Sequence, residues 1–138
     1  MAKKIVLFNS DYKKLVKLIQ VYKESNRLKS KHLLKLADEL KNAKVIADNI
    51  GEIQKIDAVS INSTVSYKNL DTGEVKQVTV VFPADTGQDL NKVSILSPLG
   101  TALIGEEEKN LTYCLAPEGQ IPLQIEKIIS KQMQTAGN

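Results

Sequence analysis

Val93-Ser94-Ile95-Leu96-Ser97-Pro98-Leu99-Gly100-Thr101-Ala102-Leu103-Ile104-Gly105 is the stretch on which the reading of this chain turns. The apolar run Val93–Leu96 stops at Ser97-Pro98, and Leu99, Ala102 and Leu103 then recur at helical spacing until Gly105. A serine at the cap position can accept from the orphan N–H groups of a first helical turn, and a proline suits the next position because it has no N–H to satisfy. Gly105 can take the left-handed conformation that closes such a turn. The thirteen residues therefore predict a strand, a capped short helix and a sharp exit.

Outward from this motif the period is two. Val59, Ile61, Ser63, Val65 and Tyr67 alternate with polar residues, and Asn69 to Glu74 has the chemistry of a turn. Val75 to Phe82 is a second, β-branched strand ended by Pro83-Ala84-Asp85, and a polar loop from Thr86 to Lys92 leads into the motif. Leu111–Leu115 and Ile121–Ile129 flank Pro117-Glu118-Gly119 as a last strand pair, in which Pro122 predicts an edge or a bulge. The polar tail after Ile129 is expected to fray.

The N-terminal part has the helical period. Ile5–Phe8 reads as extended, and Asn9, Ser10 and Asp11 are capping residues. Tyr12, Leu15, Ile19 and Tyr22 then form one stripe, and Leu33, Leu36, Leu40 and Ala43 form another after a helix start near Ser30. Two such stripes joined by a short polar turn predict an antiparallel hairpin of helices of roughly 15 residues, each about 22 Å long. Val45 to Asp57, with Gly51, reads as a connector. The expected class is α+β: a helical hairpin arm over 1–48, then an antiparallel β domain with one short helix over 49–138.

Charge divides the chain in the same place. Residues 1–44 hold 12 Lys and Arg against 4 Asp and Glu, whereas 45–138 hold 7 against 12, giving the net +3. A length of 138 residues at 42% hydrophobic content supports one core. No apolar run approaches the ~18 residues of a membrane span, and Ile5–Phe8 is too short for a signal-peptide core. One cysteine, Cys114, forms no internal disulfide and suits a reducing cytoplasm. His32 is the only histidine and has no partner pattern for a metal, so it reads as a solvated or capping residue. The glycines read as turn residues and form no phosphate loop. No groove-reading motif for sequence-specific DNA accompanies the basic arm.

Asn62–Ser66, Asp71–Glu74, Val80–Asp85 and above all Val93–Gly105 occur in the order and spacing of a known family. Over about residues 59–128 the chain resembles the C-terminal domain of the Gre transcript-cleavage factors, and it is most similar to the short-armed regulators of nucleoside diphosphate kinase. The resemblance implies an FKBP-like domain that docks on bacterial RNA polymerase at the mouth of its secondary channel, with the hairpin entering the channel. In the cleavage factors, acids at the hairpin tip help hold a metal at the polymerase active site.

This tip departs from that pattern. Lys23 to Lys31 contains the cations Lys23, Arg27, Lys29 and Lys31 and one acid, Glu24. Ammonium groups repel a divalent cation, which needs converging carboxylates. The expectation is a polymerase-binding regulator that is not an enzyme and has no catalytic residue, metal or cofactor. Asp85, Ser97, Pro98, Leu99 and Gly100 are its docking candidates, and Arg27, Lys29 and Lys31 are its tip candidates. RNA in the channel is an indirect contact. The alternatives are an active cleavage factor using Glu24 with Asp38 or Glu39, and an interaction domain for another enzyme such as a nucleotide kinase. An FKBP-like fold also invites prolyl isomerisation, but the six aromatics, Phe8, Tyr12, Tyr22, Tyr67, Phe82 and Tyr113, are too few to line that pocket as well as the core. Glu106-Glu107-Glu108 reads as a solvated loop or a face for a basic patch, and it lacks the family's Gly-Asp turn.

Overall fold

The computed structural model describes residues 4–48 and 58–131. The connector residues 49–57, with Gly51, and the tail 132–138 lie outside them.

Alternation has the predicted result. β3 (Ser63–Asn69) buries Ser63, Val65 and Tyr67, and the turn at Asn69–Glu74 reverses it into β4 (Val75–Val81). β6 (Leu111–Ala116) and β7 (Gly119–Lys131) form the last hairpin, and β5 (Lys92–Ser94) completes a five-stranded sheet in the order β5-β4-β3-β7-β6. The pairs β3–β4, β3–β7 and β6–β7 are antiparallel; β5 adds to β4 in parallel, making the sheet mixed. α3 (Pro98–Leu103) lies against β6.

Pro122 is not on an edge strand. β7 is central, and the proline sits opposite Tyr113 of β6, where its carbonyl accepts from Leu70 N at 2.9 Å. β3 ends at Asn69, paired with Leu123, so its ladder stops before it would need the N–H that proline lacks. The bulges of this ladder lie further along β7, at Ile129 and Glu126, which are passed over between the β3 pairs Thr64/Val65 and Ser66/Tyr67.

The N-terminal helices form, with modified ends. α1 (Asn9–Glu24) has 16 residues, as expected, whereas α2 (Lys31–Lys41) has 11 and is shorter than expected. Neither Asn9 nor Ser30 provides a side-chain cap. Ser10 instead donates from its N and Oγ to the Asp48 carboxylate at 3.0 and 2.6 Å. Asp11 is buried, and its Oδ2 accepts from Ile61 N at 3.0 Å, fastening α1 to the segment before β3. The start of the supposed connector is β2 (Lys44–Ile46), which pairs in parallel with β1 (Val6–Phe8). Both helix ends are thereby held together.

Leu15 and Ile19 of α1 and Leu36 and Leu40 of α2 share one core with Val59, Val65, Val80, Ile95, Leu103 and Ile125. Fully burying a side chain of this kind contributes ~1.5–3 kcal/mol, so the base of the helix pair is part of the domain's own stability. No helix among the described residues is long and apolar enough to cross a membrane.

Asp11→Ala leaves the buried Ile61 N–H without this acceptor. It is expected to cost ~2–3 kcal/mol in urea unfolding, against ~1 kcal/mol for Asp48→Ala at the exposed cap.

Candidate functional site

The Ser97 turn is built as its sequence dictates. Ser97 Oγ accepts from Gly100 N at 3.0 Å and donates to Ser94 O at 2.7 Å, while Ser94 Oγ accepts from Leu96 N at 3.0 Å. Thr101 Oγ1 closes on Pro98 O at 3.0 Å, and Thr112 Oγ1 reaches across from β6 to Ala102 O at 2.9 Å. A first side-chain carbon at Gly100 would lie 2.0 Å from Ser94 O, so glycine alone lets α3 pass this close to the end of β5. Gly105 takes φ +75, as the exit requires, and its surroundings are as tight: a carbon there would meet Ile5 Cβ at 2.5 Å.

Ser97, Pro98 and Leu99 are half-buried at the surface, and Gly100 is buried. Leu99 lines a recess of about 700 Å³ with Thr64, Tyr67, Lys76, Leu90 and Val93. Leu90 is 93% exposed. The sequence around it is that of a polar loop, and the lone leucine is the available signal. Asp85 is exposed on the short 3-10 turn Pro83–Asp85, which contacts β5, and its side chain shares no hydrogen bond with Ser97–Gly100 among the described residues.

The tip is ordered by its own residues. Asn26 turns the chain at φ 59, Ser25 Oγ donates to Val21 O at 2.7 Å, and Arg27 Nε donates to Ser25 Oγ at 3.0 Å. The Arg27 guanidinium lies 4.6 Å from the Tyr22 ring centroid, a cation–π contact. Lys29 and Lys31 are exposed and form no ion pair among the described residues.

The acids do not gather. Glu24 accepts from Gln20 at 2.9 Å, and Glu39 is paired with Lys35 at 3.0 Å. No three His, Cys, Asp or Glu side chains converge among the described residues.

Two sequence readings are corrected. His32 is half-buried, and its Nε2 lies 3.0 Å from Leu96 O; a carbonyl only accepts, so Nε2 carries the proton and ties α2 to the residue before Ser97. Glu106–Glu108 is not a solvated run. Glu106 is buried, Glu108 Oε2 accepts from Ile128 N at 2.8 Å, and only Glu107 is exposed. Lys109, at φ 71, makes the left-handed step in place of a glycine.

Cys114 points into the core. Burial, then the Glu118 charge, raises its thiol above the ordinary 9.0; burial, then Cys114 and Glu74, raises Tyr67 above 10.0.

The sequence model for "Transcription elongation factor, GreA/GreB, C-term" matches residues 53–130. The transcription elongation factor GreA of Amoebophilus asiaticus is 35% identical over 104 residues, covering 75% of this chain and 64% of that protein. The GreA of Thermotoga petrophila is 31% identical over 108 residues, 78% of this chain and 66% of that protein. The solved GreA/GreB elongation factor of Nitrosomonas europaea superposes with a TM-score of 0.70 at 26% identity, over 94% of this chain and all of that one. The chain belongs to the GreA/GreB family of transcription elongation factors, and it spans just under two thirds of the length of those two curated relatives.

Two measurements test the site's construction. Gly100→Ala is expected to cost about 3 kcal/mol or more in unfolding, since backbone rather than a flexible side chain must yield. For Cys114 and Tyr67 the folded pKa values are the higher ones, so above about pH 9 the unfolded chain loses protons first. Their contribution is complete below that pH and declines as pH rises. A stability profile from pH 7 to 11 should fall above 9, less steeply in Cys114→Ala.

Proposed function

We propose that this protein docks on bacterial RNA polymerase through the Ser97–Gly100 turn and acts near the secondary channel without stimulating transcript cleavage. The family membership supports the partner. The surface supports the contact: Leu99 and the exposed Leu90 line one recess together with Thr64, Lys76, Gln77 and Asn91, a mixed apolar and polar surface of the kind a protein partner covers.

The character of the tip carries the non-cleaving part of the reading. Around the 25–30 turn stand Lys23, Arg27, Lys29 and Lys31, all exposed, while Glu24 is the single acid and is bonded to Gln20. Such a tip attracts carboxylates or RNA phosphates and repels Mg²⁺. The mechanism is occupancy: the domain binds, the cationic tip screens the channel mouth, and true cleavage factors are excluded. No side chain of this protein does chemistry in that scheme.

With stalled, backtracked polymerase the expected result is no RNA shortening by this protein and inhibition of shortening by an added cleavage factor. Leu99→Glu should relieve that inhibition at least about tenfold in concentration, because a charge would be driven into the contact. RNA shortening abolished by Glu24→Ala would overturn the non-cleaving reading. Failure of the folded protein to bind polymerase, with capture of a nucleotide kinase in its place, would overturn the partner.

A further inference from the structure

α1 and α2 do not close on each other along their length. Their innermost side chains, Leu15, Leu36 and Leu40, point into the common core, which draws both helices down onto the domain. A second stripe on each helix is left facing a groove of about 530 Å³, with Tyr12, Val16 and Ile19 on one wall and Leu34 and Ala37 on the other. Val16 is 40% and Leu34 48% exposed.

The groove's walls are about two to three helical turns long, Leu34 to Lys41 on α2 being the shorter. Tyr12 to Lys23 spans eleven steps on α1, about 16 Å at 1.5 Å per residue, or three turns. Its ionic lining is mostly cationic: Lys23 and Lys41 against Asp38 as the single acid, all three exposed. An apolar channel edged with ammonium groups takes an amphipathic helix in the helix-in-groove manner, with carboxylates flanking the apolar stripe. A second copy of this chain would bring lysines against lysines.

We infer that the α1–α2 groove is a docking site for an acidic amphipathic helix, about three turns long, of a partner protein. This surface is separate from the Ser97 turn, and the inference does not rest on polymerase docking there.

The test is an NMR titration of the full chain with a synthetic peptide of about four turns. One version carries leucines at i, i+3, i+4 and i+7 with glutamates elsewhere, and its counterpart has lysines in place of the glutamates. The expected result is saturable shifts at the Val16, Leu34 and Ala37 methyls with the acidic peptide, and binding at least about tenfold weaker with the basic one. Leu34→Glu, a change at an exposed position that should leave the fold intact, should abolish the shifts. Lys23→Glu with Lys41→Glu should reverse the preference between the peptides.

Four results would overturn the inference: no saturable shift, equal affinity for both peptides, shifts mapping to Leu90 and Leu99 instead, or contacts showing the groove filled by this chain's own residues 132–138. Sedimentation showing a dimer that Leu34→Glu dissociates would also overturn it, in favour of a second copy.

Discussion

The crossing of Ile5 and Val6 over Gly105 holds the two ends of this molecule together. Gly105 O accepts from Val6 N at 3.0 Å, Gly105 N donates to Val59 O at 2.8 Å, and one residue away Ile5 O accepts from Lys44 N at 2.8 Å. Four distant parts of the chain meet there because residue 105 has no side chain. The crossing puts β1 in place, β1 holds β2, and the two fix the ends of α1 and α2. The exit of the Ser97 turn is thus also the anchor of the helix pair.

That shared anchor ties the two candidate contact surfaces into one body. His32 reinforces it by fastening α2 to Leu96, directly before Ser97. The positions of the tip cations relative to the Ser97 turn follow from packing and hydrogen bonds rather than from a flexible joint. A partner that takes hold of the turn therefore receives the tip at a set place.

What could be read from the sequence was local. Ser97, Pro98 and Gly105 obey rules that act within four residues, and the alternation of Val65 and Tyr67 follows from the pleat. The residues misread are those whose partners lie far along the chain: Asp11 bonds 50 residues away, His32 64 and Glu108 20. Each is a polar side chain for which a local, solvated role was the simpler reading. Pro122 was misjudged for a related reason, since the place of β7 in the sheet depends on where β3 ends. Of the two leucines that line the recess, Leu99 is legible from the motif, whereas Leu90, exposed in a polar loop, has no period to reveal it.

The parallel pairing of β1 with β2 has a consequence for how such a chain can change. Val6 lies beside Lys44, so the chain leaves the domain and returns to it at one doorway. The helix pair is committed to the core up to Ile19 and again from Leu33 onward, whereas of residues 20–31 only Leu28 packs against it. Whole helical turns inserted or removed in that interval would alter how far the molecule reaches while leaving its seat untouched. Address and reach are separately adjustable, and the stretch between Gln20 and Lys31 is where a descendant of this sequence could acquire a longer or differently charged probe without relearning how to fold.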